Sequence, residues 1–201
     1  MNSHAKVLVV IAAASLGIAI GLALAFLFMH RTAPTDPGHH AEVRTLFYSN
    51  IDLDPIGNCD VVFPVERTVS FASAEDAHNA EGRAAAVLTE LFAGPTAEEE
   101  RQGFSSFFSS ETSNLMRSVH IEGSRERIAY IDLQDLRHAL AGANSSCGSL
   151  SFFAQVEHTM RATAGVSQIR YAFDGDPEMF YDWMQIGCDA TTDHCDPEPF
   201  R

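Results

Sequence analysis

From Val7 to Met29 the chain runs 23 residues without a charge, with Lys6 before the run and Arg31 after it. A helix of that length spans roughly 34 Å, against ~30 Å of bilayer hydrocarbon. Backbone polar groups in lipid must be paired inside the segment, so a lone crossing has to be helical. A removable signal peptide has a shorter apolar stretch and a small-x-small cleavage site. Ala23-Leu24-Ala25 offers the small residues, but Phe26-Leu27-Phe28-Met29 carries the apolar run onward, and no Cys follows closely enough for a lipid anchor. The sequence therefore predicts an uncleaved transmembrane anchor at residues 7–29. One Lys against one Arg leaves the charge rule for orientation nearly silent.

The cysteines orient the chain. All four (Cys59, Cys147, Cys188 and Cys195) follow the anchor. An even count after a secretory-type segment points to disulfides in an oxidising compartment. Residues 1–6 are thus expected in the cytoplasm and the remainder outside a plasma or inner membrane. Of three possible pairings, proximity favours Cys188 with Cys195, which leaves Cys59 for Cys147. No C-x-x-C or Cys/His spacing announces zinc. Residues 32–201 hold 27 Asp and Glu against 11 Arg and no Lys. Such a field argues against nucleic acid and against adhesion to anionic lipid.

Residues 30–41, with Pro34, Pro37, Gly38 and the His39-His40 pair, read as a flexible linker. A domain follows at 42–175, and a C-terminal helix with a disulfide-closed tail at 176–201. Val43–Tyr48 is a strand. Ser49–Asn58 is a polar turn region, and Asp60–Phe71 is extended, with Pro64 marking an edge. Ser73 opens a helix that continues through Leu91 to the stop at Gly94-Pro95. Leu115–Ile121 and Arg127–Leu133 alternate as a hairpin. A second helix comes in two parts, Leu136–Ala141 and Ser149–Ala164. Val166–Asp174 is the last strand, and Glu178–Ile186 an amphipathic piece holding Trp183. The expected fold is α+β, with helices packed on one face of a mixed sheet.

Several residues invite chemistry. Ser109-Ser110 with Glu111, and Ser145-Ser146, have no His in local register and sit in no nucleophile-elbow pattern. Glu157-His158, with His120 and Glu122, match no H-E-x-x-H zinc spacing. Asp52, Asp54 and Asn58, or Asp174 and Asp176, could hold calcium, as could Asp189, Asp193 and Asp196. Neither of the first two groups follows an EF-hand pattern, and Asp and Asn commonly bond their own backbone in turns. The stretch Phe104–Phe108 places Phe104, Phe107 and Phe108 in a loop-like region, where they could form an exposed partner-binding patch. Tyr181 and Trp183 could stack on a sugar or fasten the last helix.

Ordered pieces along the chain resemble the GerMN domain of sporulation and spore germination. They are Cys59-Asp60, Phe63-Pro64-Val65 with Arg67, Leu91-Phe92-Ala93-Gly94-Pro95-Thr96 with Glu99, Gly103-Phe104-Ser105, Ala129–Leu133, Cys147-Gly148 and Phe173-Asp174-Gly175. The resemblance covers Val43–Gly175. It implies a small extracytoplasmic α+β domain of the bacterial envelope, similar in fold to ring-building modules of secretion-type assemblies. The family has no established catalytic residues, so none carries over. One copy behind a helical anchor, without an amidase module, departs from the spore-germination protein's two copies and lipid anchor. The expectation is a non-enzymatic module without cofactor or metal that binds envelope proteins or peptidoglycan. The alternative is a hydrolase activator or a weak wall-active enzyme using Glu157, His158, His120 or the Asp-rich turns.

Overall fold

The computed structural model describes residues 40–188 and 193–200. The anchor expected at 7–29 lies outside the described residues. Among the described residues no helix is long and apolar enough to cross a membrane.

Strand β1 (His40–Asn50) lies antiparallel to β2 (Phe63–Phe71). His40 and Ala41, expected in the linker, already pair with Phe71 and Ser70. Leu46, Tyr48 and Asn50 are buried, alternating with half-buried Phe47 and Ser49 as the strand period requires. Pro64 opposes Phe47 on the outer strand, where a missing N–H leaves no ladder partner unmet. Two residues of β3 (Phe104–Ser105) pair with the far end of β1. A second sheet has the order β4 (Met116–Glu122), β5 (Ile128–Leu133), β6 (Gln168–Phe173). Strands β4 and β5 form an antiparallel hairpin. Strands β5 and β6 run parallel, so a helical crossover must join them.

The single mixed sheet expected from the sequence is therefore two three-stranded sheets, the first antiparallel and the second mixed. Helices stand between and against them. Helix α1 (Ala74–His78) is short, and α2 (Ala80–Phe92) touches β1, β2 and β4. The capped turn α3 (Ala97–Arg101) follows. The crossover helix α4 (Ser146–Ala164) packs on α2 and β1, and α5 (Pro177–Trp183) packs on β6. Leu88, Leu91 and Phe92 of α2 and Phe152, Val156 and Met160 of α4 are fully buried. They join Leu46 and Tyr48 of one sheet to Ile131, Leu133 and Phe173 of the other in one apolar cluster. The α+β class holds.

The helix read as continuous from Ser73 breaks at Asn79, whose backbone is extended (φ −94°, ψ 158°). Its side chain instead accepts from the Gly82 N–H at 2.6 Å, capping α2. Leu136–Ala141, where a short helix was expected, instead forms successive turns closed by hydrogen bonds three residues apart, the last reaching Ala143. Helix α4 starts earlier than expected because the Ser145 hydroxyl accepts from the Gly148 N–H at 3.0 Å. A Cβ on Gly148 would sit 1.9 Å from the Gly142 carbonyl oxygen, so Cys147 is followed by the one residue that fits.

Arg67, Gly94, Thr96 and Glu99 of the motif pieces converge at the C-terminal end of α2. The last carbonyls of a helix lack partners within it. Here the Tyr48 hydroxyl donates to the Leu91 carbonyl at 3.1 Å, and Arg67 Nη1 donates to the Glu90 carbonyl at 3.1 Å. Arg67 Nη2 reaches the Gly94 carbonyl at 2.8 Å, and Nε reaches Glu99 Oε1 at 2.9 Å. Nη2 also bonds Glu99 Oε2, which accepts from the Thr96 N–H at 2.6 Å. The guanidinium lies 5.4 Å from the centre of the Tyr48 ring. Gly94 has φ +79°, and a Cβ there would meet the Phe108 carbonyl oxygen at 2.2 Å. Burial pushes the Glu99 carboxyl up, but the bonds from Arg67 and Thr96 outweigh it and hold the group below its ordinary range.

A second knot closes β5 onto β6. Asp132 accepts from the Gly175 N–H at 2.7 Å and pairs with Arg117 at 3.2 Å. Asp174 and Gly175 both adopt positive φ there, 51° and 81°. Burial dominates at Asp132 and raises its carboxyl, so its charge costs stability at neutral pH, a cost relieved as pH falls.

Two outcomes are expected. Glu99 is lowered in the folded state, so its stabilisation is complete above the unfolded value near 4.5 and is lost as pH falls through the lowered one. Glu99→Gln should be less stable near neutrality and should lose less stability than the parent between about pH 5 and 3, measured by denaturant unfolding. The Cys59–Cys147 bond joins residues 88 apart in sequence with Cα atoms 5.1 Å apart. Closing so long a loop is worth about 4–5 kcal/mol in the entropic model. Replacing both cysteines by Ser should lower Tm by roughly 10 °C. The same change at Cys188 and Cys195, only 7 apart, should cost less.

Candidate functional site

Residues 51–62 join β1 to β2 and end the first sheet. Their sequence alternates apolar and acidic side chains: Ile51-Asp52-Leu53-Asp54, then Ile56, Asp60 and Val61. Beyond the last pair of β1 the chain is held by its own polar groups. Buried Asn50 donates from Nδ2 to the Gln102 carbonyl at 2.8 Å, and its Oδ1 accepts from the N–H groups of Asp52 and Leu53 at 2.9 and 3.0 Å. The Ile51 N–H reaches the Gly103 carbonyl at 3.1 Å. The Asp54 carboxylate accepts from the Asn58 N–H at 2.6 Å, closing a turn that includes Gly57. The Cys59–Cys147 disulfide then ties the loop to the first turn of α4.

A cleft of about 200 Å³ opens beside this disulfide, lined by Ile51, Asp54, Cys59, Val61, Phe107 and Ser151 among others. From its wall a polar chain runs inward to buried Gln155. Ser49 Oγ and Ser151 Oγ are 3.2 Å apart, Gln155 Nε2 donates to Ser151 at 3.0 Å, and Ser106 Oγ donates to Gln155 Oε1 at 2.6 Å. Gln155 is fully buried with both ends of its amide met. The loop and the start of α4 also expose large apolar side chains. Ile51, Leu53, Ile56 and Val61 are 57, 60, 86 and 37 % exposed, and Leu150, one helical turn beyond Cys147, is 52 % exposed. Five of the seven large exposed hydrophobics among the described residues thus lie on this loop and the start of α4.

The residues singled out by sequence are dispersed. Phe108, expected in an exposed patch, is 2 % exposed and packs on Phe92 and Phe152, with ring centres 4.9 and 5.4 Å away. Phe104 is half-buried in β3, and Phe107 is the member of the three that lines the cleft. Tyr181 is 6 % exposed, and its hydroxyl accepts from the Tyr171 N–H at 3.2 Å, so its ring has no open face for a sugar. Trp183 packs edge-on to Phe173 at 5.3 Å and fastens α5 to β6. Both expected disulfides are present.

The candidate chemical groups have structural neighbours of their own. His120 on β4 pairs with Glu81 at 2.6 Å, whereas His158 on α4 packs tilted against Phe47 with ring centres 5.4 Å apart and Glu157 accepts from Arg161 at 2.6 Å. Ser109 caps the short turn at 110–112. Asp176 caps α5 through the Met179 N–H. Cys188, His194 and Cys195 do converge, with ligand atoms within 4.8 Å of one another. The two sulfurs are bonded to each other, however, and a metal ligand is a free thiolate.

The sequence reading missed Ile51, Leu53, Ile56, Val61 and Leu150, treating residues 49–58 as a polar turn. The available signal was the alternation Ile51-Asp52-Leu53-Asp54, which carries the period-two pattern of Phe47 and Ser49 past Asn50, the last paired residue of β1. Burial separates the two sets of apolar residues sharply. Phe108→Ala should destabilise by about 3–5 kcal/mol, while Ile56→Ser should fall within about 0.5 kcal/mol of the parent in denaturant unfolding.

Residues 45–178 match the family model Germane, described as sporulation and spore germination. No curated protein and no solved structure matches the chain. The matched span takes in Tyr48, Arg67, Gly94 and Glu99 at the end of α2, the Cys59–Cys147 bond, and the Asp132–Gly175 closure. Those family-like residues are engaged in holding the fold. The chain belongs to the Germane (GerMN) family of sporulation and spore-germination domains.

Proposed function

We propose that this chain is a non-enzymatic interaction module. Residues 7–29 anchor it in a bacterial plasma or inner membrane, and the domain is displayed on the outer side, where it binds a protein partner. The observation that carries the reading is the apolar surface at residues 51–62. Four large apolar side chains stand in solvent on a loop held by hydrogen bonds and a disulfide. Exposed apolar area that is also pre-ordered is the mark of a binding surface, because little conformational freedom remains to be lost on association. Two disulfides suit an oxidising, extracytoplasmic compartment. A protein partner is favoured over glycan, because Tyr181 is buried and the patch itself carries no Tyr or Trp to stack on a sugar ring.

The test is photo-crosslinking in cells that express the full chain, with the photoreactive residue at position 53 or 56. A discrete protein adduct is expected from either position. It should be absent from position 125, in the β4–β5 turn, and lost from position 56 when Leu53→Ser is added. Equal adducts from all three positions, or release of wall fragments by the purified full chain, would overturn the reading.

A further inference from the structure

We infer that the surface at residues 51–62 docks a basic, apolar segment of its protein partner. This deepens the interaction-module reading and rests on it. The apolar half of the match is given by Ile51, Leu53, Ile56 and Val61, with exposed Leu150 one turn past the disulfide-bonded Cys147 and a cleft at Phe107 with room for one side chain. The charged half is given by Asp52, Asp54 and Asp60, which alternate with those side chains. No Lys or Arg lies between Thr45 and Glu66 in the sequence. None of the three carboxylates forms an ion pair among the described residues. A partner that brings Lys or Arg between apolar side chains therefore meets carboxylates not already neutralised, and such pairing governs encounter rate and choice of partner.

A second copy of the chain fits poorly. It would set the same three carboxylates against themselves, on a protein of net charge −14. Like charges brought together at an interface oppose association. An acidic partner fails for the same reason. The loop's hydrogen bonds matter here too. Asp54 is held by Asn58, and Leu53 by Asn50, so acidic and apolar groups keep a fixed spacing for the incoming segment to read.

The experiment uses the full chain in nanodiscs of zwitterionic lipid, which gives basic peptides no anionic membrane to bind. Three fluorescent peptides are compared by anisotropy: alternating leucine and arginine, alternating leucine and glutamate, and alternating serine and arginine. The first should bind at least about tenfold more tightly than either of the others, and should weaken as salt is raised. Its affinity should fall at least about fivefold in Leu53→Ser/Ile56→Ser and in Asp52→Asn/Asp60→Asn. Glu75→Gln/Glu126→Gln, which removes two acids outside the loop, should leave it unchanged. Circular dichroism melts confirm that each variant is folded.

Equal binding of the glutamate peptide, or an equal loss in the Glu75/Glu126 variant, would overturn the proposal. So would concentration-dependent dimerisation of the full chain that Leu53→Ser/Ile56→Ser abolishes, since a second copy would then be the occupant. If no peptide binds selectively while the adduct from position 56 persists in cells, the basic-segment inference fails and the interaction module stands. If the adduct is missing as well, both fail.

Discussion

Arg67 is the residue on which the architecture turns. Its guanidinium accepts nothing and donates in a planar fork, so it can satisfy several oxygens at once only if they are gathered around it. Here they are: the Glu90 and Gly94 carbonyls and both oxygens of Glu99. In one set of bonds β2 is fastened to the end of α2 and to the cap of α3. Tyr48 brings β1 into the same knot from below. Because α2 touches both sheets, fixing its end also fixes the distance between them. The family pattern around Leu91–Thr96 reads, in this light, as the set of residues that lets an arginine end a helix.

The disulfide plays the complementary role on the other side of β1. Without Cys59–Cys147, residues 51–62 would be a twelve-residue excursion tied down only by Asn50, Asp54 and the Gly103 carbonyl. With it, the loop and the start of α4 form one surface. The chain of Ser49, Ser151, Gln155 and Ser106 runs from the cleft wall inward to buried Gln155 and leaves little room for an alternative arrangement. Polar groups in that position are more demanding than apolar ones, since each must find its partner or bear the cost of desolvation.

Much of the fold was legible because its signals are local. The alternation of β4 and β5, the Gly94-Pro95 stop and the cysteine spacing each depend on a few neighbouring residues. What escaped was set by contacts far apart in sequence. Nothing near Asn79 says that its side chain would cap a new helix instead of continuing the old one. Nothing in Phe104–Phe108 says that Ser106 turns inward to Gln155, 49 residues on, and takes Phe108 into the core with it. The division into two sheets is also non-local, since strand order depends on where α2 and α4 pack. The candidate site was misplaced for the opposite reason. Aspartates and a proline masked an apolar alternation that was present in the sequence throughout.

Strand β1 has a mechanical consequence. It begins at His40, where the described chain emerges, and ends at Asn50, against the loop at residues 51–62. Its eleven residues cover roughly 33 Å. A pull applied between those two ends would run along the strand axis and be carried by the backbone of β1 itself, while the hydrogen bonds to β2 lie across the pull and brace the strand. Peeling the strand from its neighbour would break them one at a time. The Cys59–Cys147 link would also pass part of the tension into α4 and away from the turn. The same geometry that positions the loop thus makes the domain stiff along the axis of β1.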